Sequence, residues 1–299
     1  MFAYLRTTAF LTFLNMRQYI YLIISILFVF QACATGDSSQ AKDSPKGSLF
    51  IIGGGSRPDP LVNRMIDEAG LRESGYAVIL PMSSELSDSA IIWSSEQFIR
   101  NGINNVTGFN FLHDTPPNPV WVDSLKNASL IYISGGDQNR FMSIVADNAI
   151  EQAIRQAYNS GAMIAGTSAG AAVMSKLMIT GDELRYKDYT ETFRTIESEN
   201  LELGRGLGLI ETAIIDQHFI WRSRHNRLFT AIIENPGVKG IGIDESTAIL
   251  VRDNEAEVVG VAQVMVFSNP DRSYREYENK LGASNLRIDI FLPGDKFTF

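Results

Sequence analysis

The chemistry this chain can do is concentrated in a few short segments. Gly166-Thr167-Ser168-Ala169-Gly170 is a G-x-S-x-G, preceded by Ala162–Ala165 (AMIA), a strand-like run, and followed by AAVMSKL, which can be helical. A strand-to-helix turn this tight needs small residues beside the central one, and it presents the serine hydroxyl at the positive end of the helix. A serine nucleophile needs a base, usually a neutral imidazole. The chain offers three: His113, His218 and His225. His113 lies in a Pro-rich loop and His225 on an Arg-rich helical segment, whereas His218 ends a β-like run, Ala213–Phe219, in Asp216-Gln217-His218-Phe219. Strand-end placement favours His218. A third, acidic residue must fix the imidazole tautomer, and Asp216, Asp244 and Glu245 all remain candidates. Either of the last two gives the order Ser…His…acid, unlike the Ser…acid…His of α/β-hydrolases. No histidine follows His225.

Two further segments flank this set. Gly135-Gly136-Asp137-Gln138 follows LIYIS, and glycine amides at a strand tip can hold a developing oxyanion. Gly136 and Ala169, the residue after the serine, are the candidate donors. Arg222-Ser223-Arg224-His225-Asn226-Arg227 puts three arginines within six residues. Such a run is either a solvated helix face or a clamp for a substrate carboxylate.

These segments need a scaffold that brings strand ends together. From Gly47 onward, β-rich runs at Ser48–Ile52, Ala77–Leu80, Val106–Leu112, Leu130–Ser134 and Ala162–Ala165 alternate with helical periodicity at Leu61–Ser74 and Phe141–Ser160. That pattern predicts parallel βαβ units in a doubly wound sheet, with its site in the loops at the carboxyl ends of the strands. After Gly206 the character becomes mostly β: Ala213–Phe219, Gly240–Val251, Glu255–Phe267 and Leu286–Leu292, with one helix from Arg224 to Glu234.

Composition bounds the function. The 299 residues are 45% hydrophobic and 20% charged, enough for a sizeable core. Lys+Arg 26 against Asp+Glu 34 gives a net charge of −8, which argues against a nucleic-acid partner. A single cysteine permits neither an internal disulfide nor a cysteine-clustered zinc. That residue, Cys33, follows the apolar run Tyr19–Phe30, which has the length of a signal-peptide h-region and is too short to span a bilayer. A small residue, Ala32, directly before it resembles a bacterial lipoprotein signal. The expectation is a signal peptide over 1–33, lipidation of Cys33, a flexible tether over 34–47, a folded domain over 48–299, and a lipid-anchored protein of the cell envelope. An uncleaved signal anchor is the alternative, and Met16 is a second candidate start.

Taken together, GGDQ, GTSAGA, DQHFxxRxRxxRL and GIDExTA resemble the cyanophycinase branch of serine peptidases, which includes aspartyl dipeptidase; the resemblance runs from Gly47 to the C-terminus. It implies a flavodoxin-like fold related to class I glutamine amidotransferases, with helices on both faces of a mostly parallel sheet. It implies Ser168 as nucleophile, His218 as base and Glu245 as orienting acid. Gln138, Asp216, Gln217, Arg222, Arg224 and Arg227 match positions that shape the substrate pocket. It also implies no metal or organic cofactor, a homodimer, and a substrate rich in β-linked aspartate, such as cyanophycin, a poly-aspartate whose side chains carry arginine. The competing readings are a non-catalytic lipoprotein that captures acidic peptides and an esterase or amidase on the same triad.

Overall fold

In the computed structural model, residues 47–188 and 190–299 are described, and they fall in one compact unit. The signal segment, Cys33 and the tether up to residue 46 lie outside the described residues.

Five parallel strands form the centre of the large sheet: β1 (Ser48–Ile52), β2 (Ala77–Leu80), β3 (Val106–Gly108), β4 (Leu130–Ile133) and β5 (Met163–Thr167), in the order β3-β2-β4-β5-β1. All residues of β1, β2, β4 and β5 are buried, which is why these strands read as unbroken apolar runs. Their side chains still alternate between faces. Leu49, Ile51, Val78, Leu80, Ile131, Ile133 and Ile164 pack with the helices Pro119–Lys126, Gln138–Val145 and Ala149–Asn159. Phe50, Ile52, Ile79, Tyr132 and Ala165 pack with the helices Asp59–Glu68 and Ser87–Arg100. Both faces are therefore covered, as a doubly wound sheet requires.

A β-hairpin, β6 (Leu177–Glu183) with β7 (Leu201–Arg205), follows the serine turn. Next come β8 (Ala213–Gln217) and β9 (Lys239–Ile243), parallel neighbours separated in sequence by the helix His225–Glu234. The chain then returns to the large sheet with β10 (Thr247–Arg252), antiparallel to β1, and β11 (Glu255–Gly260). β12 (Val264–Ser268) rejoins the small sheet beside β9. After a short hairpin of β13 (Arg275–Tyr277) and β14 (Lys280–Gly282), β15 (Arg287–Phe291) closes the small sheet and β16 (Lys296–Thr298) the large one.

Several sequence expectations are corrected. The expected strand Gly240–Val251 is two strands in different sheets, with a corner at Asp244–Ser246 between them. Glu255–Phe267 divides the same way. The single helix Phe141–Ser160 is two, because Asp147 takes φ 60° and the Asn148 side chain caps a new start on the Ile150 N–H. Val106–Leu112 is strand only to Gly108, and the first helix ends at Glu68 rather than Ser74, with Gly70 at φ +66° just beyond. The helix Ser87–Arg100 escapes periodicity because its buried stripe, Ala90, Ser94, Gln97 and Phe98, is half polar, while Ile92, Trp93 and Ile99 face out.

Candidate active site

Three backbone bonds assemble the site at the carboxyl end of β1. The Ile52 carbonyl accepts the Ser168 N–H at 3.1 Å, Gly53 accepts the His218 N–H at 2.7 Å, and Gly54 accepts the Ser246 N–H at 2.9 Å. One tripeptide thus fixes the chain at or beside the serine, the imidazole and the acid. The glycine run after SLFII is visible in the sequence, but its role is not. A side chain at Gly54 would begin 2.3 Å from the imidazole Cε1, so only glycine leaves room for the ring.

Ser168 follows β5 directly, at φ 54° and ψ −114°, and precedes the short helix Ala169–Ala172. A non-glycine residue holds such a conformation only when its surroundings enforce it, and strain of this kind concentrates at functional sites. The flanking glycine is equally constrained: a Cβ on Gly170 would lie 2.3 Å from the Ile133 carbonyl oxygen. This is the physical content of the G-x-S-x-G spacing.

The side chains form a continuous relay. His218 Nε2 lies 2.9 Å from Ser168 Oγ, and Nδ1 lies 2.5 Å from Glu245 Oε1. Glu245 stands in the corner between β9 and β10, so among the three acids left open only it reaches the imidazole. Asp244 Oδ1 instead accepts the N–H groups of Ile220 and Trp221, capping the turn that follows His218. Asp216, whose side chain is fully buried, pairs bidentately with Arg227 and accepts the Gln217 N–H at 2.8 Å. The other histidines stand elsewhere: His225 packs on Phe219, and His113 is exposed beside Asp114.

Burial holds the His218 imidazole below its ordinary value. The Glu245 hydrogen bond opposes that shift, while the charges of Arg222 and Arg224 reinforce it. The ring is therefore neutral at neutral pH, the form that accepts a serine proton.

Beside Ser168 lies a cavity of about 230 Å³, lined by Gly136, Gln138, Gln217 and all three arginines of the run. The arginines are not a solvated helix face. Arg224 and Arg227 are buried, and Arg224 donates to the Gln217 carbonyl at 2.9 Å and side-chain oxygen at 2.7 Å. Arg222 is the more exposed, with Glu191 at 3.6 Å. Asp216 does not line the cavity; it holds Arg227 from behind. Gln138 donates its amide to the carbonyls of Ile179 and Thr180 on β6, at 2.9 and 2.5 Å. Asp137 caps the helix Gln138–Val145 through the N–H groups of Asn139 and Arg140. No acceptor among the described residues takes the N–H of Gly136 or of Ala169, and both border the serine turn. β6 contributes Thr180, Gly181 and Asp182 to the cavity wall, residues that no sequence motif singled out.

The model of peptidase family S51 matches residues 49–259. The chain belongs to that family. A cyanophycinase of Trichormus variabilis is 37% identical to it over 182 residues, 58% of this chain and 58% of the relative. A cyanophycinase of Geminocystis herdmanii is 36% identical over 183 residues, 58% of this chain and 63% of the relative. The chain thus spans about three fifths of the length of these curated relatives. The crystal structure of a peptidase from an acI-B1 actinobacterium superimposes with a TM-score of 0.63 at 24% identity, covering 86% of this chain and 98% of that one, which shows a shared fold.

Proposed function

We propose that this S51 member is a serine peptidase that hydrolyses aspartate-rich peptides, cyanophycin or related β-aspartyl substrates, through an acyl-enzyme on Ser168. The observation that carries this reading is the unbroken Ser168–His218–Glu245 relay beside an arginine-lined cavity. The names of the curated relatives support the substrate class.

In the proposed mechanism His218 Nε2 takes the Ser168 proton as Oγ attacks the scissile carbonyl, and Glu245 stabilises the imidazolium. The Gly136 and Ala169 N–H groups receive the oxyanion. The tetrahedral intermediate collapses as His218 gives its proton to the leaving nitrogen, and the C–N bond breaks. A water activated by the same imidazole then hydrolyses the ester and frees Ser168. On the acyl side the guanidinium groups receive a substrate carboxylate, for which their planar fork is the natural partner.

The test is incubation of purified protein with cyanophycin and with a β-aspartyl peptide panel, read by mass spectrometry. Ser168→Ala should lower turnover by about a thousandfold or more while substrate binding persists. Activity retained within about tenfold would exclude the mechanism. A wild-type serine inert to an active-site serine reagent would favour a binding protein instead.

A further inference from the structure

Ser168 lines two cavities, and it is the one residue their linings share. The second, about 270 Å³, includes none of the arginine run and is lined by His218, Arg57, Trp93 and Ser84. His218 borders this cavity and not the first. That asymmetry has a chemical meaning if Ser168 is the nucleophile, the reading on which the role of the second cavity rests. The proton that His218 takes from Ser168 must pass to the departing nitrogen. The nitrogen, with the fragment it carries, therefore lies on the imidazole side.

Arg57 shows what that fragment bears. Its Nε donates to Gln97 Oε1 at 2.6 Å, and Gln97 is buried on the helix Ser87–Arg100. Among the described residues no acceptor takes the terminal NH₂ groups of Arg57, and no carboxylate pairs with it. A guanidinium anchored through Nε, with its far edge free, is preorganised for a carboxylate. Trp93 is 56% exposed at the same cavity and offers an indole face to an aliphatic or planar side chain. The volume lies at the low end for small-molecule sites, which suits a short fragment rather than a running chain.

We infer that this second cavity is the leaving-group subsite, and that Arg57 selects amine fragments carrying a free carboxylate. In the balanced step the scissile C–N bond breaks, the Ser168 Oγ–C bond is retained, and the serine proton leaves on the amine, whose carboxylate stays paired with Arg57.

The test uses aspartyl peptides, α- and β-linked, in matched pairs that end in a free carboxylate or its carboxamide. The readout is the ratio of kcat/KM values within each protein. Wild type should favour the acid by about ten- to a hundredfold, the scale of a hydrogen bond to a charged group. Arg57→Gln should bring the ratio close to one, whereas Arg100→Gln, an exposed cation outside the cavity, should keep it. Because each ratio is internal to one preparation, partial unfolding cancels. Equal handling of acid and amide by wild type, or an unchanged ratio in Arg57→Gln, overturns the subsite and leaves the Ser168 reading standing. No turnover of any peptide by wild type overturns that reading and the subsite together.

Discussion

Replacing Glu245 and Asp216 one at a time separates the acid that serves the imidazole from the acid that serves the pocket. Glu245→Gln keeps the volume but replaces an acceptor 2.5 Å from Nδ1 with an amide that can donate to it. The donated bond stabilises the wrong tautomer, with the proton on Nε2, where the base must be free. Loss of kcat by about 10⁴-fold is expected, about 5 kcal/mol of barrier. Stability should hardly change, because the Glu245 side chain is 24% exposed. Asp216→Asn acts on a different quantity. It leaves Arg227, 3% exposed, without its counter-charge, at a cost of about 3–5 kcal/mol in folding free energy. For a domain of this size that corresponds to a Tm lowered by about 6–20 °C. Thermal unfolding and steady-state kinetics on both variants decide the matter. Glu245→Gln active within about tenfold of wild type would refute the assignment. So would Asp216→Asn with an unchanged Tm and the larger catalytic loss.

The remaining predictions concern protonation and space. In the proposed mechanism catalysis needs neutral His218, whose pKa is lowered, so kcat/KM should hold from neutral pH down and fall only below about 6.5, the ordinary imidazole value. Arg222→Gln removes a cation that disfavours the imidazolium, so the acid limb should move up toward neutral; a pH profile whose limb stays put or moves down contradicts the electrostatics. Gly54→Ala puts a methyl group 2.3 Å from the imidazole carbon, and its φ of +112° adds backbone strain. Displacement of the ring should lower kcat by about a hundredfold or more, and crystallography of the variant should find His218 turned away from Ser168.

Much of the central sheet is legible in sequence because β1, β2, β4 and β5 are buried on both faces and leave unbroken apolar runs. The serine turn is legible for a related reason: Gly170 has no room for a side chain, so the motif survives as spacing. The helix Ser87–Arg100 was hidden by its half-polar inner stripe, yet its Trp93 lines the second cavity and its Gln97 holds Arg57 there. The β6–β7 hairpin was hidden as well, and Gln138 is held by its carbonyls.

The residues by themselves marked a hydroxyl on a strand-to-helix turn as the candidate nucleophile, favoured a strand-end histidine as its candidate base, and placed arginines close by in the chain. They left three acids open. Asp216 is two residues from His218 and Glu245 is twenty-seven away, so proximity in sequence favours the acid that does not touch the imidazole. Only tertiary structure decided, by splitting β9 from β10 into different sheets and placing their corner under the carbonyl of Gly54. A hydrogen bond depends on distance in space, and the backbone of residues 52–54 sets that distance.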